Sequence, residues 1–240
     1  MKTIAIFGAG PALGLSVARR FARENYRVAL VARRQESLDA LTAALSNVDT
    51  TTCQADLLNP TELTAAVAAI EARHGHIDVA VWSPGGLDQP RVHTLDINPD
   101  TLPTQLELLL LAPIRLANLL LPGMRTRHDG ALIYASGTSA TAPMPQLGNV
   151  GIALAGMRNY VLAANTALTD EGVYVGVVPI GGLIKNSAAE AAVLNTPTQF
   201  EGFDMDALKL TTLDPDHIAE IFWDLNLNRD RAEQPIGAGY

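Results

Sequence analysis

The sequence predicts an α/β protein, a single doubly wound domain over residues 1–240 with a parallel sheet covered by helices on both faces. Two observations carry that prediction. Strand-like apolar runs alternate with helix-like stretches of about 10–20 residues along the chain, the mark of repeated βαβ units with right-handed crossovers. No internal repeat, low-complexity tract or interdomain linker interrupts the alternation.

In order, "KTIAIFG" reads as a buried strand and "ALGLSVARRFARE" as the first helix. "YRVALVA" and "SLDALTAALS" repeat the pair, and "DTTTCQA" precedes Asp56. Asn59-Pro60 opens the helix "TELTAAVAAIEARHG", since proline is tolerated in a first turn. "IDVAVWS" is a fourth strand, followed by a Pro/Gly-rich loop over 84–103 and a helix over 104–121 that ends at Pro122-Gly123. The strand "GALIYAS", a helix over 149–170 and the strand "GVYVGVVP" continue the series. A less regular stretch, 181–213, leads to Asp214-Pro215 and a last helix, "DHIAEIFWDLN".

Composition bounds the function. A hydrophobic share of 48% with 18% charged residues is that of an ordinary globular chain. The net charge of −8 disfavours nucleic acid or an anionic membrane as partner. Cys53 is the single cysteine, so no intrachain disulfide forms and a cytoplasmic location is expected. "MKTIAIFGAGPALGLSVARR" starts like a secretory signal, but its apolar run breaks at Gly-Ala-Gly-Pro and resumes at helical spacing. "LELLLLAPIRLANLLLPG" is interrupted by Glu107, Pro113 and Arg115 and reads as too short to span a bilayer.

Gly8, Gly10 and Gly14 stand at the turn from the first strand into the first helix. Helix N–H groups left without partners there, together with the helix dipole, favour phosphate, and glycines admit it closely. The alternative is a merely structural turn. The second strand ends in Ala32, Arg33 and Arg34, with no acidic residue to accept from a ribose 2′-OH. Guanidinium forks suit a 2′-phosphate; the other reading is a solvated pair opening a surface helix. Asp56, past the third strand, can accept from an adenine amino group.

Over nearly its whole length the chain resembles the short-chain dehydrogenase/reductase family, a Rossmann fold. The resemblance rests on "FGAGPALG", Asp56, "LPGM" at 121–124, "ALIYASGTSA" and "DPDHIAEIFWDL". Ala12 replaces the middle glycine of the family's loop and Gly10 is extra. The resemblance implies NADP(H) bound along Gly8, Gly10, Ala12, Leu13, Gly14, Arg33, Arg34, Asp56, Leu57, Ser83, Gly85, Gly181 and Leu183. It also implies hydride transfer to or from a small-molecule carbonyl or alcohol.

Family members use a serine to position the substrate oxygen and a tyrosine to exchange its proton. A lysine lowers the tyrosine pKa and holds the nicotinamide ribose, and an asparagine anchors a relay water. With Ser136 as the serine, the tyrosine and lysine positions hold Asn149 and Ala153, and the asparagine position holds Leu109. Trp82-Ser83-Pro84-Gly85 stands for the family's Asn-Asn-Ala-Gly, and Ile180-Gly181 for its Pro-Gly. Tyr160 lies 11 positions beyond Asn149, roughly 16 Å along a helix, and is followed four residues later by Ala164 rather than lysine. An asparagine amide hydrogen-bonds an oxygen but does not protonate an alkoxide. Loss of a general acid costs about 10²–10⁴ in rate.

Two functional readings follow. In the first, an oxidoreductase works with a non-standard proton donor: Ser136 and Asn149 position the carbonyl, and water or Tyr134, on the same strand face as Ser136, supplies the proton. In the second, the fold is repurposed, either for isomerase, cyclase or lyase chemistry or as an NADP(H)-binding regulator or scaffold. If the missing pair were the whole deficit, Asn149→Tyr with Ala153→Lys would create reductase activity.

The remaining candidates each have a plainer reading. His93, with Asp88 and Arg91, lies in the loop after the fourth strand, where a surface histidine is the alternative. Lys185 reads as a cofactor or substrate contact, or as solvated surface. His74 and His76 read as exposed, with no metal-ligand spacing in the chain. Cys53 reads as a small apolar residue. The segment 181–213 is assigned to the substrate pocket, with Asn186, Ser187 and Phe203 its notable residues. Helix 104–121 is apolar on more than one face, which points to a homodimer or homotetramer or, otherwise, to burial under its own loops.

Overall fold

The computed structural model describes residues 1–85, 90–195 and 212–238. Its main sheet is parallel, with strand order β3-β2-β1-β4-β5-β6-β9. The strands are β1 Thr3–Phe7, β2 Arg27–Ala32, β3 Thr50–Gln54, β4 Val79–Trp82, β5 Gly130–Gly137, β6 Val173–Gly181 and β9 Ile236–Gly237. A separate two-strand ladder joins β7 Leu183–Ile184 to β8 Thr212–Leu213. The doubly wound prediction holds, including the first strand that resembles a signal segment: β1 is central and buried at every position.

Chain order reverses between β1 and β4, which makes the crevice at their carboxyl ends the natural ligand site. Phe7 is in register with Val31 on one side and Trp82 on the other, so three strands end level there.

Helices α1 Leu13–Arg23, α2 Gln35–Ala44 and α7 Pro215–Asn228 cover one face. Val17, Phe21, Leu38, Ile218 and Phe222 are buried there at helical spacing. On the other face lie α3 Pro60–His74, α4 Pro103–Arg127 and α5 Gly148–Ala167. A further helix, α6 Ala188–Asn195, stands in the stretch the sequence left irregular.

Helix α4 differs most from expectation. It passes through Pro122-Gly123 and ends at His128, whose φ of 51° closes the helix as Asp129 N–H donates to the Met124 carbonyl at 3.2 Å. Leu116, Leu120 and Met124 form one buried stripe, so burial carries the helix past its proline. A π-turn at Glu107–Leu111 precedes Pro113, which lacks a backbone donor. The length argument against a bilayer span is therefore corrected: 25 residues reach about 37 Å. By length and composition alone the helix could cross a membrane. Here it packs on the sheet, and Glu107 and Arg115 pair with each other.

Phe222 is fully buried beneath the α1–α7 face. Phe222→Ala is expected to destabilise the fold by about 3–5 kcal/mol in urea melts; a loss below about 1 kcal/mol would contradict this account of the core.

Candidate active site

The nucleotide end is built around backbone contacts. Gly8 has φ +83°, and a Cβ on it would overlap the Pro84 backbone, so the ends of β1 and β4 meet only because residue 8 is glycine. The N–H groups of Gly8 and Ala9 both donate to the Val31 carbonyl, at 2.9 and 3.0 Å. Gly14 lets α1 approach: a Cβ there would stand 3.0 Å from Ala9 Cα. Gly10, by contrast, faces open space. At Ala12 the start of α1 has no side-chain cap, and its first turn has no acid, which keeps its dipole available to an anion.

From this turn a cleft of about 210 Å³ runs across the ends of β2 and β3. Gly8, Gly10, Arg33, Arg34, Asp56, Leu57 and Gly85 line it, as the sequence leads one to expect. Arg33 and Arg34 are exposed at its rim. Asp56 is held by its own turn: its carboxylate accepts Leu58 N–H at 3.0 Å and its N–H donates to Glu62 at 2.7 Å. Ala12, Leu13 and Gly14 lie buried behind the lining.

Three expected cofactor residues lie outside the cleft: Ser83, whose N–H donates to the Phe7 carbonyl at 2.9 Å, Gly181 and Leu183. Gly181 packs under the Ala238 carbonyl and the Thr138 methyl, and Leu183 belongs to the β7–β8 ladder. Sequence reading missed Ser37, Leu58, Leu108 and Ala188 in the lining. The position of Ser37, three residues past the arginine pair, was a usable signal. Ala188 and Leu108 reach the cleft only through tertiary packing.

The catalytic end departs further from expectation. Asn149 is 3% exposed, and both ends of its amide are engaged. Its Oδ1 accepts Val92 N–H at 2.9 Å and Val150 N–H at 3.0 Å, while its Nδ2 donates to the Pro90 carbonyl at 2.9 Å. Gln105 Nε2 donates to the same carbonyl at 3.2 Å, and Gly148 N–H to that of Val92 at 3.0 Å. In this arrangement Asn149 links α5 to the loop after β4. Ala153, one turn further on, is fully buried.

Tyr134 lies inside the core. Its phenol is sealed in the core with Pro113 O as acceptor at 3.4 Å, and burial pushes its pKa well above the ordinary range. Leu109 packs against the same core. Ser136 remains at the strand end, buried, its hydroxyl without a hydrogen-bond partner, and the hydroxyls of Ser83 and Ser139 share that condition.

His93 Nδ1 accepts Leu95 N–H at 3.3 Å and caps a short turn. The Ser187 hydroxyl accepts Glu190 N–H at 3.1 Å, and the Glu190 carboxylate accepts Asn186 N–H at 2.6 Å, which caps α6. Lys185 is exposed. His74 and His76, read as exposed, are part-buried. His74 contacts Arg27 and Thr51, and His76 contacts Asp78, at the amino ends of the strands. No metal-binding group of His, Cys, Asp or Glu occurs among the described residues. Burial raises the Cys53 pKa. Asp88 and Phe203 lie outside the described residues.

Residues 2–193 match the short chain dehydrogenase family, and the chain belongs to it. It is 29% identical over 227 residues to the NADP-dependent 3-hydroxy acid dehydrogenase YdfG of Salmonella typhi, covering 92% of this chain and 87% of the relative. Among solved structures, L-sorbose reductase of Gluconobacter frateurii, complexed with NADPH and L-sorbose, superposes with a TM-score of 0.86. That match is 22% identical and covers 99% of this chain and 95% of the other. An NADPH-bound short chain oxidoreductase of Pseudomonas aeruginosa PAO1, described as containing an atypical catalytic center, superposes with a TM-score of 0.82. It is 20% identical, covering 98% of this chain and 95% of that one.

Asn149→Ala is expected to cost about 2–3 kcal/mol, because it leaves Val92 N–H and the Pro90 carbonyl short of partners. Amide exchange over residues 90–97 should rise with it; unchanged exchange would contradict this link. Asn149→Tyr with Ala153→Lys should destabilise the fold rather than create a reductase, since both positions are buried and residue 149 holds the loop.

Proposed function

We propose that this chain is an NADP(H)-binding oxidoreductase of atypical mechanism, exchanging hydride with a small molecule without a tyrosine acid. The observation that carries the reading is the cleft: an uncapped helix start at one end, and Arg33, Arg34 and Ser37 at the other. The open face of Gly10 fits a pyrophosphate, the guanidinium forks fit a 2′-phosphate, and Asp56 fits an adenine amino group. The NADP dependence of YdfG and the NADPH complexes of the two structural neighbours support the same cofactor.

A specific observation favours a second reading, an NADP(H)-binding protein without hydride transfer. The residue at the expected tyrosine position is engaged entirely with backbone groups. Comparing the affinities of NADPH and 2′,5′-ADP separates the two. Hydride transfer requires the nicotinamide half to be held, so NADPH should bind well ahead of 2′,5′-ADP; equal affinities favour the second reading.

A cytoplasmic homo-oligomer completes the proposal. Leu111 on α4 and Ile152 on α5 are exposed apolar side chains on the two helices that would meet a partner copy. A lone thiol, Cys53, suits a reducing compartment.

Replacing Arg33 and Arg34 together with alanine should weaken NADPH binding by about 10–100-fold and leave NADH binding unchanged, as read by nicotinamide fluorescence. Equal losses for both nucleotides would refute the 2′-phosphate assignment.

A further inference from the structure

Buried polar side chains in a folded protein almost always find a partner, so groups that lack one mark a place meant for something else. At the carboxyl ends of β4 and β5, the hydroxyls of Ser83, Ser136 and Ser139 and the indole Nε1 of Trp82 all lack one. Ser136 and Ser139 are 9% and 6% exposed. Ser139 Oγ lies 3.7 Å from where a Cβ on Gly137 would stand, which brings it back to the end of β5. Gly151 makes room for that turn, since a Cβ there would stand 3.3 Å from the Ser139 carbonyl oxygen.

These groups share one chemistry: they are neutral hydrogen-bond donors. Asn149, Ala153 and Tyr134, the described candidates nearest in role to a proton donor, do not give up a proton near neutral pH. Asn149 is an engaged amide, Ala153 is a methyl group, and Tyr134 is sealed in the core. His93 Nδ1 accepts Leu95 N–H in its own turn, and Lys185 is exposed. Neutral donors can stabilise developing negative charge on oxygen without protonating it. Reduction of a ketone makes an alkoxide, which is too basic to be left with hydrogen bonds alone. Addition of hydride to a conjugated alkene makes an enolate, whose oxygen is far less basic and whose carbon takes its proton from water.

Resting on the NADP(H) reading above, we propose that the substrate is an α,β-unsaturated carbonyl compound reduced at its C=C bond, with Ser136 and Ser139 together holding the carbonyl oxygen. Bound NADPH would supply the hydride with its electron pair to the β-carbon, leaving NADP⁺. The C=C electron pair then forms the enolate, whose oxygen the two hydroxyls hold. Water protonates the α-carbon, and the hydroxide left is neutralised by solvent. The sum is one enone, one NADPH and one proton giving one saturated carbonyl compound and NADP⁺.

The test starts with NADPH binding by fluorescence, then follows NADPH consumption with 2-cyclohexenone and trans-2-hexenal against cyclohexanone and hexanal. The expected result is turnover of the conjugated compounds at least about tenfold above the saturated ones, with saturated carbonyl products. Ser139→Ala should lower that turnover by about 10–100-fold with an unchanged or raised melting temperature, because the lost hydroxyl had no partner. A second readout needs no turnover: p-nitrophenol, whose phenolate mimics the enolate, should bind the NADP⁺ complex with its pKa lowered, and Ser136→Ala and Ser139→Ala should each reduce that shift. If NADPH binds but the allylic alcohol forms, neither conjugated compound reacts, or Ser139→Ala changes neither readout, the substrate proposal is overturned and the cofactor reading stands. If NADPH does not bind, both fall.

Discussion

The contact between Gly8 and Pro84 is the constraint from which the site follows. Strand order reverses between β1 and β4, and there the two backbones come so close that residue 8 admits no side chain. Because Phe7, Val31 and Trp82 share one register, the glycine turn, the arginine pair and the β4 exit stand side by side. A cleft for an extended anionic nucleotide is a consequence of that alignment, with α1 aimed into it.

At the other end of the same crevice a single buried amide ties two elements together. Asn149 joins α5 to the loop after β4 through Pro90 and Val92, and Gln105 reinforces the joint. Both hydrogen-bonding functions of the side chain are taken, so it braces α5 against that loop. What remains beneath is a set of unpartnered serine hydroxyls on β5 and its following turn. Unpartnered hydroxyls of this kind can hold an oxygen and polarise it.

Much of the fold was legible because burial wrote it into local patterns. The strand–helix alternation, the glycine turn, the Asn59-Pro60 start of α3 and the arginine pair are all local signals, and each lies where the sequence puts it. The end of α4 was not legible, since Pro122 argues for a stop while the buried stripe Leu116, Leu120 and Met124 overrides it. Tyr134 shows the limit of strand periodicity: alternation gave its face correctly, but only packing reveals that α4 covers that face and supplies the Pro113 carbonyl. The role of Asn149 was invisible for the same reason. Its partners lie 57 and 59 residues away, and nothing in "GNVGIALAG" announces them.

The most direct test of this account is a crystal structure of the protein with NADPH. The account predicts the 2′-phosphate among Arg33, Arg34 and Ser37, the pyrophosphate over Gly10, and the Asn149 amide still on Pro90 and Val92. A nucleotide bound elsewhere, or an Asn149 side chain turned out of the loop onto the nicotinamide or the substrate, would contradict it.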